Sequence, residues 1–149
     1  MKSITTHLGI HQGGIISFVG AGGKTTLMFR MAEELAKEDE RVLVTTTTKM
    51  FKPGRDIFSE RLIADSTPEL LSRIKERFRH SNLLFAAAGE IPGSNKVRGF
   101  SPQCIDNLWE SGCCQWILTE ADGAACRPLK APADHEPAVP RNTKYLLGL

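Results

Sequence analysis

The stretch FVGAGGKTTL, residues 18–27, joins an apolar segment to an amphipathic one, and it indicates how the chain folds. The residues GIISFV, 14–19, form a nearly continuous apolar run, which is typical of a β-strand buried on both faces. After the glycines, apolar residues recur at helical spacing: Leu27, Met28, Met31, Ala32, Leu35 and Ala36. The sequence therefore predicts a strand, a glycine-rich turn and a helix in series.

The alternation of strand and helix continues along the chain. Further buried strands are predicted for residues 41–46, 82–88, 115–120 and 144–149. The segment 89–100 is rich in turn residues, and we expect an excursion or hairpin there. Strands that alternate with helices favour a three-layer α/β/α domain with a mostly parallel sheet.

Two further helices are marked by their end residues. In STPELLSRIKERF, residues 66–78, Thr67 is the predicted N-cap and Pro68 the first helical residue. In SPQCIDNLWESG, residues 101–112, Ser101 and Gly112 are the predicted caps. The segment 123–142 contains four prolines, so we expect a long loop or lid there.

Length and composition favour one globular domain over residues 1–149. Hydrophobic residues make up 41% and charged residues 24%, and no apolar run reaches the ~18 residues of a membrane span. The first residues lack the apolar core of a signal peptide, so we expect a cytoplasmic protein without a membrane partner. The net charge is +2, with the cations spread along the chain, which argues against a nucleic-acid partner.

The four cysteines suggest no metal site and no disulfide framework. Cys104, Cys113, Cys114 and Cys126 form no C-x-x-C pair, and two of them are adjacent. We expect all four to be reduced thiols.

The glycine-rich turn is the first candidate functional element. It ends like a phosphate-binding loop, although Phe18 stands where the pattern G-x-x-x-x-G-K-[ST] has its first glycine. Backbone amides at the start of a helix attract anions, and glycines let the backbone approach them closely. We expect the Thr25 hydroxyl to bind Mg²⁺. The predicted phosphate-binding residues are Gly20, Ala21, Gly22, Gly23, Lys24, Thr25 and Thr26. The alternative is a glycine turn kept for packing alone.

A phosphate site needs an acidic residue at the end of a neighbouring buried strand, and the stretch WILTEADG supplies one. Glu120 ends the strand and is the predicted magnesium ligand together with Thr25. Asp122 follows, and with Lys24 and Glu120 it forms the predicted catalytic set. Gly123 offers a backbone amide to a γ-phosphate. The alternative is that the two carboxylates cap a turn.

A third element, VTTTTKM, residues 44–50, follows the second strand to the same edge of the sheet. β-Propensity accounts for Thr45 and Thr46. Thr47, Thr48 and Lys49 lie beyond the predicted strand, and we expect them to contact the nucleotide as a second magnesium hydroxyl and a phosphate or substrate cation.

The stretches ISFVGAGGKTT, VLVTTTTKM and EADGAACRPLKAPADHEPAVP together resemble the YqeC family, from about residue 8 to 149. This resemblance implies an accessory role in maturing selenium-dependent molybdenum hydroxylases, with such a hydroxylase or its cofactor as partner. It also implies that longer members have a C-terminal portion that this chain lacks. The loop GAGGKTT is also similar to that of Mur-type peptide ligases, which lack the outer glycine.

Within the block that carries this resemblance, several side chains invite a functional interpretation. Arg127 and Lys130 could neutralise phosphates or another oxyanion, and Asp134, His135 and Glu136 could bind metal or move a proton. A surface loop with solvated charges is the alternative. A selenium-handling role for Cys126 rests only on its closeness to the predicted phosphates.

Taken together, these features predict a P-loop NTPase-like domain that binds ATP or GTP with Mg²⁺ and hydrolyses or transfers the γ-phosphate. The chain has no N-K-x-D guanine signature, which favours ATP. Two alternatives stay open. The first is a non-catalytic accessory protein that uses the nucleotide as a switch. The second is an ATP-dependent ligase, whose substrate-binding parts would need more room than 149 residues leave.

Overall fold

The computed structural model describes residues 3–20, 22–121 and 139–149. Its helices are α1 (Ile4–His7), α2 (Lys24–Ala36), α3 (Glu69–Arg77) and α4 (Pro102–Glu110). Its strands are β1 (Gly14–Val19), β2 (Val42–Thr46), β3 (Lys49–Phe51), β4 (Glu60–Ile63), β5 (Leu83–Ala87), β6 (Gly89–Glu90), β7 (Lys96–Arg98), β8 (Trp116–Glu120) and β9 (Thr143–Gly148). The five predicted strands and the three predicted helices are all present. The prediction that the last strand is buried is wrong, because β9 lies at an edge of the large sheet and none of its residues is buried.

Six strands form one parallel sheet in the order β4-β5-β2-β8-β1-β9. The remaining three, β3, β7 and β6, form a small antiparallel sheet, in which β6 and β7 are the predicted hairpin. The small sheet follows directly from the carboxyl ends of β2 and β5. It therefore lies at the edge of the large sheet where open α/β folds bind their ligands.

Helices cover both faces of the large sheet, which confirms the three-layer α/β/α architecture. Successive strand residues point to opposite faces, and two core clusters separate accordingly. On β8, Ile117 packs with α3 and α4, whereas Trp116 and Leu118 pack with α2. Burial on both faces explains why these strands are apolar runs without alternation.

The ends of α4 agree with the sequence prediction, but the start of α3 does not. The Ser101 side chain accepts a hydrogen bond from the Cys104 amide, and Gly112 follows α4 with a φ of 74°. For α3, however, Pro68 is the N-cap and no side chain caps the helix. The prediction of Thr67 as cap is therefore wrong. The backbone amide of Glu69, and after it the Thr67 hydroxyl, lower the pKa of the Glu69 carboxyl group.

The chain enters β9 through a contact with α4. The Asp106 carboxylate is buried and accepts hydrogen bonds from the backbone amides of Arg141 (2.9 Å) and Asn142 (2.8 Å). Buried carboxylates need such partners, so this pair of bonds fixes where β9 begins. Within the part of the chain that the structure describes, no helix is long and apolar enough to cross a membrane.

Candidate functional site

The strand order brings the glycine-rich loop and Glu120 together. Strand β8 lies between β1 and β2, so the end of β8 is flanked by the ends of both. In the register, Glu120 pairs with Phe18 on one side and with Thr46 on the other. The three sequence elements predicted to form a nucleotide site therefore meet at the carboxyl edge of one sheet.

The glycine-rich loop leads directly into the first turn of α2. Gly23 is the N-cap of α2, with a φ of 76°, and it provides no side-chain cap. Among the described residues, no atom outside the chain neighbours lies within 4 Å of the position that a Cβ would take at Gly22 or Gly23. The start of a helix carries the positive end of the helix dipole, and its first-turn amides have no partner within the helix, so this end of α2 is where the sequence predicts an anion to bind.

Gly20 is required for a different reason, which the sequence did not reveal. Its φ is 115°, and a Cβ there would lie 2.0 Å from the carbonyl oxygen of Leu149. The Leu149 amide donates to the carbonyl of Val19 (2.9 Å), so the end of β9 passes directly beside the loop. Gly20 thus makes room for the backbone of Leu149, the residue that follows β9.

Lys24 and Thr25 are the first two residues of α2. Lys24 is only 3% exposed. The Thr25 hydroxyl donates a hydrogen bond to the carboxylate of Glu120, which is likewise 3% exposed. A buried carboxylate is stable only with hydrogen-bond or cationic partners, and Thr25 supplies one of them across the two elements.

The backbone carbonyl of Glu120 is held by threonines. It accepts hydrogen bonds from the Thr47 amide (2.9 Å) and from the hydroxyls of Thr47 (3.3 Å), Thr46 (3.3 Å) and Thr119 (3.1 Å). Thr46 and Thr119 were absent from the predicted site. The sequence signal that could have found them is polarity, because both interrupt otherwise apolar buried strands. Together these groups fix the backbone from which the Glu120 carboxylate projects.

Thr48 and Lys49 lie farther from this contact. The Thr48 hydroxyl donates to the carbonyl of Lys49 (3.2 Å), and its amide donates to the Thr46 hydroxyl (3.0 Å). Lys49 begins β3, where it is exposed and pairs with Arg98. The structure thus brings Thr25, Thr47 and Glu120 together and places Lys49 on the small sheet.

Several predicted residues lie outside the described part of the chain. They are Ala21, Asp122, Gly123, Cys126, Arg127, Lys130, Asp134, His135 and Glu136. The predicted long loop or lid at 123–142 is described only from residue 139 onward.

The donor set at the Thr25–Glu120 contact suits a hard cation. Hydroxyl and carboxylate oxygens are ligands that Mg²⁺ prefers, and Mg²⁺ usually takes only one or two carboxylates and completes its shell with water and phosphate. No group of three or more His, Cys, Asp or Glu residues that could hold a metal exists in the described ranges 3–20, 22–121 and 139–149. An all-protein metal cage is therefore absent from those ranges, whereas the smaller oxygen set fits a metal that arrives with a phosphate ligand.

Comparison with known proteins identifies the family to which this geometry belongs. The family model described as "YqeC protein" matches residues 16–149, which include the glycine-rich loop, the threonine segment and Glu120. The chain belongs to the YqeC family. A member from Escherichia coli (strain K12), named "Uncharacterized protein YqeC", is 40% identical over 139 residues.

This YqeC family member spans about half the length of that relative. The aligned residues cover 91% of the chain and 50% of the relative. No solved structure matches the chain.

Proposed function

We propose that this YqeC family member binds a nucleoside triphosphate with Mg²⁺ between the glycine-rich loop and Glu120, and that it hydrolyses or transfers the γ-phosphate. The observation that carries the proposal is the Thr25–Glu120 contact, which links the uncapped start of α2 to the end of β8. A hydroxyl and a buried carboxylate beside open helix amides form a site for a metal-bound polyphosphate.

Each residue has a separate task in this site. The first-turn amides of α2 bind phosphate oxygens, and the Lys24 ammonium adds a positive charge at the same helix end. Thr25 and Glu120 would hold Mg²⁺, which when bound neutralises charge that develops on the transferred phosphoryl group. Thr46 and Thr47 orient Glu120 by bonding its backbone carbonyl. Catalysis in such a site comes from positioning and charge neutralisation.

We propose maturation of a selenium-dependent molybdenum hydroxylase as the biological setting, with the hydroxylase or its cofactor as partner. The support is the resemblance in three sequence stretches. The proposed nucleotide is ATP or GTP, and the absence of the N-K-x-D guanine signature from the sequence favours ATP.

A second candidate function is a nucleotide-driven switch without turnover. Thr47 contacts Glu120 through both its amide and its hydroxyl, and strand β3 of the small sheet begins two residues later. A movement of Glu120 on nucleotide binding would therefore be transmitted through Thr47 to the small sheet, where a partner protein could bind one conformation in preference to the other.

Parallel binding and turnover measurements distinguish the two functions. Calorimetric titration with Mg-ATP and Mg-GTP measures binding, and phosphate release under the same conditions measures turnover. The enzyme predicts phosphate release that saturates with nucleotide, whereas the switch predicts tight binding without release. An absence of heat with both nucleotides would contradict both functions.

Replacing Glu120 with glutamine removes the charge and keeps the shape. We expect Glu120→Gln to weaken magnesium-dependent nucleotide binding roughly tenfold or more, because interactions with a charged group contribute about 1.5–3 kcal/mol and each 1.4 kcal/mol is a factor of ten. Titration with and without Mg²⁺ is the measurement. The matched control is Glu33→Gln on an exposed position of α2, which should leave affinity unchanged. Equal magnesium dependence in Glu120→Gln and the unmodified chain would exclude Glu120 as a ligand.

A further inference from the structure

Two adjacent cysteines form a buried thiol pair at the opposite end of β8 from Glu120. Cys113 and Cys114 lie between α4 and β8, and they are 3% and 6% exposed. Successive residues of an extended strand point to opposite sides. Here the two residues precede β8, and their sulfur atoms lie only 3.8 Å apart.

The surroundings make the two thiols chemically unequal. The hydrogen bond between the two thiols lowers the pKa of the Cys113 thiol to about 7, against the opposing effect of burial, and Ser111 and Lys75 lower it further. The pKa of Cys114 is raised well above its usual value by its hydrogen bond to Cys113 and by burial. One sulfur is thus prepared to act as a thiolate nucleophile while its neighbour keeps a proton.

Cys104, a third buried thiol, provides a contrast within the same core cluster. It accepts a hydrogen bond from the Ser66 hydroxyl over 3.2 Å. Its chemistry is that of an isolated buried thiol, and such thiols are usually inert.

We propose that Cys113 and Cys114 are a redox-active dithiol that hydrogen peroxide converts reversibly to a disulfide between the two neighbouring residues. The 3.8 Å separation of the sulfurs places the second thiol ready to attack once the first is oxidised. Because both side chains are largely buried, a molecule close to the size of water reaches them more readily than a bulky disulfide such as glutathione disulfide.

The proposed reaction has two steps. The Cys113 thiolate attacks one peroxide oxygen, the O–O bond breaks, and the departing hydroxide takes the proton of Cys114 to give water. The Cys114 thiolate then attacks the sulfur of the Cys113 sulfenic acid, the S–S bond forms, and the S–O bond breaks. The second hydroxide leaves as water with the proton that Cys113 released earlier. The two thiols together lose two electrons, and hydrogen peroxide accepts them and is reduced to two molecules of water.

The neighbouring positions of the two residues make this disulfide easy to reduce. Adjacent Cα atoms are ~3.8 Å apart across a trans peptide bond, which is shorter than the ~4.4–6.8 Å that disulfides usually span. Strained disulfides have more oxidising potentials and are the labile ones. The pair is therefore suited to cycling between two states.

Mass spectrometry of the full chain tests the proposal. The reduced chain is treated with hydrogen peroxide and dimedone, alkylated, digested without reductant and mapped. We expect the peptide containing both cysteines to lose two hydrogen atoms without a dimedone adduct, and to regain them with dithiothreitol. A disulfide from either residue to Cys104, Cys126 or a second chain, or a persistent dimedone adduct on Cys113, would overturn the proposal. Failure of the pair to oxidise would overturn it as well.

Three serine variants assign the roles of the two sulfurs. In Cys114→Ser, we expect the Cys113 sulfenic acid to persist and to be trapped by dimedone. In Cys113→Ser, peroxide consumption by the chain should fall roughly tenfold or more, because the remaining thiol is protonated. Cys104→Ser is the matched control and should oxidise like the unmodified chain. Unchanged peroxide consumption in Cys113→Ser would show that Cys113 is not the nucleophile.

Discussion

Lys24→Ala should abolish the rise in melting temperature that Mg-ATP or Mg-GTP gives to the unmodified chain. Lys24 is the first residue of α2. In the proposed site, its ammonium group would bind phosphate oxygens together with the amides of the same turn. A ligand at 100 times its Kd stabilises a protein by about 2.7 kcal/mol. At roughly 2–4 °C per kcal/mol, this corresponds to a shift of about 5–11 °C. Thermal melting with and without nucleotide measures the effect.

The control for this variant lies on the same helix. Lys37 is exposed and caps the other end of α2, far from the glycine-rich loop, so Lys37→Ala removes the same charge without touching the site. It should retain the full nucleotide-induced shift. If Lys24→Ala keeps the same shift as Lys37→Ala, the start of α2 is not the phosphate site. Because the same charge acts on bound nucleotide and on the reacting phosphate, any turnover should be lost together with binding.

Gly20→Ala should destabilise the fold itself, whether or not nucleotide is present. The new Cβ would lie 2.0 Å from the Leu149 carbonyl oxygen and 2.7 Å from its nitrogen, and the φ of 115° is strained for alanine. Both contacts are with the backbone of Leu149, the residue after β9, whose amide donates to the Val19 carbonyl on β1 (2.9 Å), so relieving them would disturb this hydrogen bond. We expect a loss of about 3 kcal/mol or more, or roughly 6–12 °C in melting temperature.

Gly22→Ala provides the comparison within the same loop. Its Cβ meets no atom within 4 Å, and its φ lies outside the left-handed region. We expect its stability in the absence of nucleotide to stay within about 0.5 kcal/mol of the unmodified chain. Chemical denaturation of the two variants side by side gives the difference. Equal stability of Gly20→Ala and Gly22→Ala would contradict the packing of β9 against the loop.

The strands that the sequence predicted are those with the strongest apolar signal. Burial on both faces makes β1, β2, β5 and β8 continuous apolar runs, and such runs can be recognised without knowing their neighbours. Strand β4 was missed. It lies at an edge of the sheet, and of its residues, ERLI, only Leu62 is fully buried. Strand β3 has only three residues, of which Met50 alone is buried. Such a short segment cannot show the alternation of buried and exposed residues that marks a strand.

The candidate site divides in a similar way. The glycine-rich loop, Lys24, Thr25 and Glu120 were predicted because each follows or ends a strand with a clear pattern. Thr46 was assigned to β-propensity, yet its hydroxyl contacts the carbonyl of Glu120. That contact joins residues 74 positions apart in the chain, so it cannot be predicted from the local sequence around either residue.

By itself, the sequence determined the kinds of element in this protein, because periodicity and turn chemistry are local properties. Only the tertiary structure decided that β8 inserts between β1 and β2, which places Glu120 beside Thr25. It also decided that β9 passes Gly20 and that the sulfurs of Cys113 and Cys114 face each other. The physical reason is that strand order and close approach arise from packing between segments that are distant in the chain. The free energy of such packing depends on both elements together, so neither segment alone predicts it.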